Sequence, residues 1–220
     1  QQGDGGGDDD RAGRGGVCAG LSALGQVDEG LEPFAQHVGV RQSGLVRQDI
    51  PSREKLRRLG QAEKPFFLAL GFIRPHLAWI SPKKYWELYD PKTLPVITNG
   101  EVTPNTPPYA LSTSYELTHY MDLIDFPKPW DKQRVSDAVA RRLMHAYYAS
   151  VSFVDAQIGR LLKTLDEEGL ADNTLIVLWS DHGWKLGEHN GWGKMSNYEI
   201  DTRVPFIIAV PGMKTAGHST

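Results

Sequence analysis

The sequence predicts an α/β fold with a mostly parallel sheet flanked by helices, and three observations lead to this prediction. Residues 66–72 and 174–179 are short runs of mainly apolar residues, a pattern typical of strands buried on both faces of a parallel sheet. Residues 137–168, between these runs, repeat apolar residues at three- and four-residue steps, which indicates one long amphipathic helix. The three segments form a strand–helix–strand unit, and such a crossover is expected to be right-handed.

The long helix has clear predicted ends. Ser136 is a suitable N-cap, Asp137 favours the first turn, and Gly169 is a suitable residue just beyond the last turn. Its length also makes a break near residues 150–152 plausible. The face expected to pack on the sheet consists of Val139, Leu143, Tyr147, Val151, Val154, Ile158, Leu162 and Leu165.

Shorter elements flank this unit. A helix end is predicted at residues 54–59, where Gly60 closes it, and a short helix or turn at residues 82–89. A further strand is predicted at residues 204–210, and Pro211-Gly212 turns the chain out of that strand.

Two regions lack a clear periodic pattern. Residues 1–50 begin with a run rich in Gly, Asp and Arg, and we expect a low-complexity, disordered segment unrelated to the fold. The folded domain is therefore expected to comprise residues 51–220. Residues 91–131 are proline-rich and irregular, which is typical either of a substrate-side loop or of a surface excursion.

The composition argues against several classes of function. The 220 residues are 40% hydrophobic and 23% charged, and the net charge of −3 provides no electrostatic case for binding nucleic acid or an anionic membrane. No apolar run approaches the roughly 20 residues that span a bilayer, so no membrane insertion is expected. No signal-peptide pattern is visible, and the single cysteine, Cys18, allows no internal disulfide.

Polar side chains follow the predicted strands at the sheet edge where α/β proteins bind ligands. Asp181 and His182 come directly after residues 174–179, and His76 follows residues 66–72. A turn at Gly183 would let Asp181 and His182 converge on one ion. Asp181 suits Ca²⁺, whereas His182 suits Zn²⁺ or a transition metal, or a hydrogen bond to a bound anion. A purely structural turn is the alternative.

The glycine-rich segment after this turn adds charged candidates. Lys194, flanked by Gly and Trp residues, could pair with an anionic group in a partly closed site. Glu188 and His189 could contact a substrate or support other ligands. For all three, the alternative is an exposed side chain on a solvated loop.

Several segments together resemble the sulfatase family. They are Pro65–Phe72 with Arg74-Pro75-His76, Tyr148–Asp155 with Gln157–Leu162, Ser180-Asp181-His182-Gly183-Trp184, Leu186-Gly187-Glu188-His189, and Trp192–Asn197. The last three are most similar to the iduronate-2-sulfatase branch of that family. The resemblance covers residues 53–216.

This resemblance implies an alkaline-phosphatase-like fold and hydrolysis of sulfuric esters in sulfated polysaccharides or glycosaminoglycans. Asp181 and His182 match a metal-site pair that binds Ca²⁺, and Lys194 matches a lysine that binds the sulfate group. His76 matches a histidine that contacts the sulfate and protonates the leaving oxygen. The parent enzymes are expected to be secreted, periplasmic or lysosomal.

The sequence also departs from the family pattern. The family nucleophile is a cysteine that is matured to formylglycine in Cys-x-Pro-Ser-Arg, and no segment fits: Cys18 precedes Ala-Gly-Leu, and Asp49–Arg53 has Asp in place of Cys. The early Asp-Asp metal ligands, the N-terminal strands and the C-terminal subdomain are missing as well. We therefore expect an incomplete sulfatase domain that is inactive alone. The alternatives are a non-catalytic pseudo-sulfatase that binds sulfated glycans and a phosphate-ester hydrolase of the same superfold.

Overall fold

A computed structural model describes a large part of the chain. The described residues are 24–27, 49–62, 64–95, 97, 99–111, 113–120, 123, 126, 134–214, 217 and 219. Most of the segment 1–50 lies outside them, so the prediction that this segment is disordered and unrelated to the fold stays a prediction. Within it, Leu24–Val27 forms a strand that pairs in parallel with Trp79–Pro82.

The described chain alternates helices with short strands. The strands are β1 (Leu24–Val27), β2 (Trp79–Pro82), β3 (Ile176–Trp179), β4 (Lys185–Leu186), β5 (Trp192–Gly193) and β6 (Phe206–Ala209). The α-helices are α1 (Asp49–Gly60), α2 (Lys83–Trp86), α3 (Asp137–Glu167) and α4 (Glu199–Thr202). Single 3₁₀ turns occur at Pro108–Ala110, Leu117–His119, Ala171–Asn173 and Glu188–Asn190. The short helices predicted around residues 54–60 and 82–89 are confirmed as α1 and α2.

Helix α3 confirms the predicted ends and differs in its buried face. The Ser136 hydroxyl accepts a hydrogen bond from the Val139 N–H, and Gly169 takes the left-handed conformation just beyond the helix, with φ of 67°. The expected break near residues 150–152 is absent, because the helix runs unbroken for 31 residues. The buried residues are Leu143, Met144, Ala146, Ala149, Ser150, Phe153, Gln157, Leu161, Thr164 and Leu165.

The predicted apolar face of α3 was therefore partly wrong. Val139, Val151 and Leu162 are exposed, whereas the small or polar residues Ala149 and Ser150 are buried. Small side chains let a neighbouring element approach the helix closely, and periodicity of large apolar residues alone does not reveal this. The face that packs inward carries the contacts to α1, α2 and β2.

Removing the N-cap should weaken α3. Ser136→Ala deletes the acceptor for the Val139 N–H, and we expect the free energy of unfolding to fall by about 1 kcal/mol in urea denaturation. Ser136→Asp restores a capping acceptor and should recover most of this loss. Equal stability of the alanine variant and the parent would contradict a capping role.

Strand β3 confirms the predicted strand at residues 174–179, but its surroundings differ from the expectation. It pairs antiparallel with β6, in a register that places Ile176 opposite Ala209 and Trp179 opposite Phe206. The side chains of Trp179 and Phe206 are 63% and 64% exposed. The expectation of a strand buried on both faces between parallel neighbours is therefore wrong for the described residues. An unbroken apolar run shows a capacity for burial, but it does not identify the neighbour that buries it.

The strand predicted at residues 66–72 is not formed. These residues have no regular structure, and Phe67 is 91% exposed. A strand is defined by hydrogen bonds to a neighbouring strand, and none of the strand pairs in the described part of the chain includes this segment. The segment still leads directly into the turn that carries His76.

The core lies where α3, α2 and β2 meet, and the irregular region closes it. Trp79, Leu143 and Ala146 are fully buried. The proline-rich region supplies further core residues, which include Leu94, Leu117, Leu123 and Phe126. The predicted irregular structure of residues 91–131 is confirmed for the residues described there. None of the described helices has the length and apolar character that crossing a bilayer requires.

Candidate functional site

A buried arginine holds the turn that presents His76. The Arg74 guanidinium donates from Nη1 to the His76 carbonyl at 3.1 Å and from Nε to the Ile80 carbonyl at 3.2 Å. Burial lowers the pKa of Arg74 to about 10, and the nearby Tyr120 acts in the opposite direction, so the group remains cationic at neutral pH. These two hydrogen bonds from Arg74 to backbone carbonyls hold the turn, so that His76 lies just after residues 65–73.

His76 and Lys194 meet at a carboxylate that the sequence did not identify. His76 Nε2 lies 3.3 Å from Glu116 Oε1, and Lys194 Nζ lies 2.9 Å from Glu116 Oε2. His76 Nδ1 donates to the Leu77 carbonyl at 2.8 Å. Both imidazole nitrogens thus face oxygen acceptors. The structure therefore brings Lys194 and His76 together at one carboxylate.

The indole of Trp184 joins this cluster to the Asp181-His182 turn. Lys194 Nζ lies 5.3 Å from the centroid of the Trp184 ring, and the His76 ring lies 6.3 Å from it at a steep angle. The ring of His182, in the turn after β3, lies 6.4 Å from the same indole. Trp184 also packs against Trp79 at 5.8 Å, which ties the site to the core. The side chains of Lys194, His76 and His182 thus lie around one indole, that of Trp184.

Asp181 and His182 turn toward each other, as expected for residues just beyond a strand. Asp181 Oδ2 lies 3.5 Å from His182 Nε2, and Asp181 Oδ1 accepts from the His182 N–H at 3.1 Å. His182 Nδ1 donates to the Gly183 carbonyl at 2.8 Å, which leaves Nε2 as the nitrogen able to bind a metal in the neutral ring. The Asp181 side chain is 84% exposed, so its oxygens are accessible to an ion.

These two residues can supply only part of a calcium site. Ca²⁺ takes six to eight ligands, mostly oxygens. The described residues contain no group of three or more His, Cys, Asp or Glu side chains arranged to hold a metal ion. The accessible Asp181 carboxylate fits such a site as an oxygen ligand, whereas the His182 imidazole is a nitrogen ligand of the kind that Zn²⁺ and transition metals prefer.

Glu188 and His189 make contacts of their own beside the cluster. Glu188 Oε2 accepts from the Leu186 N–H at 2.6 Å, and the His189 ring stacks on Tyr198 at 4.2 Å with the planes nearly parallel. Burial raises the pKa of Tyr147 to about 12, and the charge of Glu188 acts in the same direction. The Tyr147 ring stacks on Trp184 at 6.2 Å. The predicted substrate-binding role of both residues stays a prediction.

A buried ion pair behind the site was also missed. The Lys185 ammonium contacts the Asp201 carboxylate, and their side chains are only 1% and 2% exposed. Ser196 donates to the same carboxylate from its backbone N–H, at 3.0 Å, and from its hydroxyl. Burial lowers the pKa of Lys185, while the hydrogen bond and charge of Asp201 raise it. The Asp201 carbonyl accepts from the Gly183 N–H at 2.7 Å, which connects this pair to the Asp181-His182 turn.

No local pattern could have identified Glu116, Lys185 or Asp201. Glu116 lies in the irregular region, and a charged residue there is most simply an exposed one. Lys185 and Asp201 contact each other, but most of the glycine-rich segment lies between them in the chain. Their roles depend on which loops fold back onto the β4–β5 pair, and this is a tertiary property.

Chemically, the cluster can bind an oxyanion and transfer a proton to it. A lysine and an imidazolium pointing at one oxygen group stabilise negative charge, and the imidazolium can act as a general acid. A metal ion at Asp181 and His182 would add positive charge near the same indole.

Comparison with known proteins agrees with the predicted family. A family model described as Sulfatase matches residues 51–220. Iduronate 2-sulfatase from Homo sapiens is 37% identical over 159 residues, which cover 71% of this chain and 28% of that protein. Choline-sulfatase from Rhizobium meliloti is 32% identical over 73% of this chain and 29% of its own length. The chain thus spans less than a third of the length of these curated relatives.

Solved structures share the fold. A phosphonate monoester hydrolase from Silicibacter pomeroyi is 30% identical, with a TM-score of 0.56, over 70% of this chain and 30% of that one. A protein solved with its substrate D-glucosamine-2-N,6-O-disulfate is 24% identical, with a TM-score of 0.58, over 74% of this chain and 43% of that one. The predicted alkaline-phosphatase-like α/β fold, present here in part, is confirmed.

Proposed function

This chain belongs to the sulfatase family, and from that premise we propose that it carries the sulfate-binding half of a sulfuric-ester hydrolase site. The observation that supports this proposal is the meeting of His76 Nε2 and Lys194 Nζ at one carboxylate, 3.3 Å and 2.9 Å away. Two donors that converge on one oxygen group are suited to the oxygens of a sulfate ester.

Each residue then has a defined role. Lys194 neutralises charge on the sulfate oxygens, and His76 protonates the leaving oxygen as the S–O bond breaks. Asp181 and His182 would hold Ca²⁺, with Asp181 as an oxygen ligand, and this would add positive charge beside the sulfate group. Glu188 and His189 contact the rest of the substrate. The sequence contains no Cys-x-Pro-Ser-Arg segment, so we propose that the attacking formylglycine is not part of these 220 residues and that the chain alone does not turn over.

We propose a sulfated polysaccharide or glycosaminoglycan as the substrate. The 37% identity to human iduronate 2-sulfatase and the match of the segments around Asp181 and Lys194 support this class. The parent protein is then expected to be secreted, periplasmic or lysosomal. Phosphate-ester hydrolysis in the same superfold is the second candidate, and the 30% identity to a phosphonate monoester hydrolase favours it. A non-catalytic protein that binds sulfated glycans would use the same two donors.

The exposed apolar residues of the β3–β6 pair support a larger fold around this site. Trp179, Phe206 and Ile207 are each more than half exposed, as is Leu175 just before β3. Patches of this kind mark surfaces that another part of a protein covers. We propose that further strands of a sulfatase domain pack against this pair and bring the nucleophile to His76 and Lys194.

Removing the lysine tests the proposed function. Lys194→Ala in the 220-residue chain should weaken binding of phenyl sulfate, measured by isothermal titration calorimetry with Ca²⁺ present, by at least about tenfold, because a charge-assisted contact contributes about 1.5–3 kcal/mol. Lys163→Ala removes the same charge from an exposed i,i+4 pair on α3 and should leave the affinity unchanged. Equal binding by the parent and Lys194→Ala would refute the proposed sulfate site.

A further inference from the structure

Glu116 lies where an anionic ligand would have to bind. Its two carboxylate oxygens are divided between His76 Nε2, at 3.3 Å, and Lys194 Nζ, at 2.9 Å. The same two donors are the ones that the proposed function assigns to the sulfate group. A bound oxyanion therefore either displaces the Glu116 carboxylate or binds directly beside it.

The Glu116 carboxylate is partly buried, so its charge acts strongly on a neighbouring ligand. The Lys194 side chain is only 16% exposed and lies against the Trp184 indole, and the Glu116 side chain is 28% exposed. Neighbouring Leu117 is fully buried in the core, which anchors the segment that carries Glu116. Partly buried charges are screened less by salt than exposed charges are.

We propose that Glu116 determines the charge selectivity of this site: it cancels one unit of positive charge beside Lys194, so that the site accepts a singly charged sulfate monoester and disfavours a doubly charged phosphate monoester. The inference rests on the proposed function, because it takes His76 and Lys194 as the donors to the ester. It assigns a specificity-determining residue that lies outside the motifs through which the chain resembles sulfatases.

Coulomb's law gives the direction of the effect. Sulfate and phosphate monoesters have similar shapes, but above its second pKa of about 6 the phosphate monoester carries nearly two negative charges. The energy of repulsion from a fixed carboxylate is proportional to the ligand's charge. Glu116 therefore opposes the phosphate ester about twice as strongly, in free energy, as it opposes the sulfate ester.

The test compares two ligands of matched shape on the full 220-residue chain. Binding of phenyl sulfate and phenyl phosphate is measured at pH 8 by isothermal titration calorimetry, for the parent, Glu116→Gln and Glu116→Ser. Loss of the carboxylate should tighten phenyl sulfate binding by about threefold and phenyl phosphate binding by about tenfold, since the second factor is about the square of the first. The preference for sulfate over phosphate should fall by about threefold.

Two control variants isolate the charge at this position. Glu116→Asp keeps the charge and should keep the parent's preference. Glu167→Gln removes one negative charge from an exposed pair at the end of α3 and should also keep it. Far-UV circular dichroism confirms the fold of each variant, and Glu116→Ser provides the comparison if Glu116→Gln does not fold.

The outcomes separate this inference from the proposed function. An unchanged or increased preference for phenyl sulfate in both neutral variants, with binding that still depends on Lys194, overturns the role of Glu116 and leaves the sulfate site intact. Binding of phenyl sulfate that does not depend on Lys194 counts against the proposed function itself.

Discussion

Replacing Asp201 by alanine should lower the free energy of unfolding by about 3–5 kcal/mol, because the variant leaves the buried Lys185 ammonium without its counter-charge. The two side chains are 1% and 2% exposed, so water cannot replace the lost partner. Ser196 loses the acceptor for its N–H in the same step. Urea denaturation followed by tryptophan fluorescence measures the change, since Trp184 directly precedes Lys185 and Trp192 lies opposite the next residue, Leu186, across the β4–β5 pair.

Two further variants show whether burial is the cause. Glu87→Ala breaks the exposed pair between Lys83 of α2 and Glu87 just beyond that helix, and should lower the free energy of unfolding by no more than about 0.5 kcal/mol. The double variant Lys185→Met, Asp201→Leu removes both charges and should recover most of the stability lost by Asp201→Ala, because well-packed apolar residues often replace a buried pair at little cost. A loss below about 1 kcal/mol for Asp201→Ala would show that the pair is not desolvated in solution.

Gly183→Ala should be the most damaging substitution in the Asp181-His182 turn. A Cβ at this position would lie 2.0 Å from the Ile200 carbonyl oxygen and 2.9 Å from that of Arg203. Both obstacles are backbone atoms, so a side-chain movement cannot relieve the clash. We expect the free energy of unfolding, measured by urea denaturation, to fall by about 3 kcal/mol. The turn should also be displaced, so the NMR chemical shifts of His182 should differ from those of the parent.

A glycine in α3 provides the matched control. A Cβ at Gly159 meets no atom within 4 Å, and the residue lies within the helix. Gly159→Ala should therefore stabilise the chain by about 0.5–1 kcal/mol, because alanine loses less backbone entropy on helix formation. If both alanine variants changed stability alike, the close approach of α4 to Gly183 would not exist in solution.

The candidate site shows how far sequence patterns extend. His76, Asp181 and His182 follow apolar runs, and together with Lys194 they belong to segments that resemble one family. The approach of His76, His182 and Lys194 to the Trp184 indole is visible only in three dimensions. Glu116, which joins two of them, lies in a proline-rich region without periodicity, so no pattern of apolar residues points to it.

The strands also show which features the sequence predicts and which depend on neighbouring segments. Residues 174–179 and 204–210 were predicted as strands from their composition, and β3 and β6 lie within them. Their antiparallel pairing depends on how the intervening segment returns, because strand direction is not encoded in either run. Residues 66–72 have the same composition and form no strand, since no neighbour in the described chain pairs with them.

Local patterns along the chain were enough to predict the ends of α3, the irregular structure of the described residues in 91–131, the turn after β3 and membership of a family. These features depend on residues a few positions apart, such as Ser136 with Val139, and local hydrogen bonds are set by local sequence. Three features are visible only in three dimensions: the buried face of α3, the strand that pairs with β3, and the contact of Glu116 with both His76 and Lys194. These outcomes depend on packing between residues far apart in the chain, where shape and burial select one arrangement among several that the same local patterns allow.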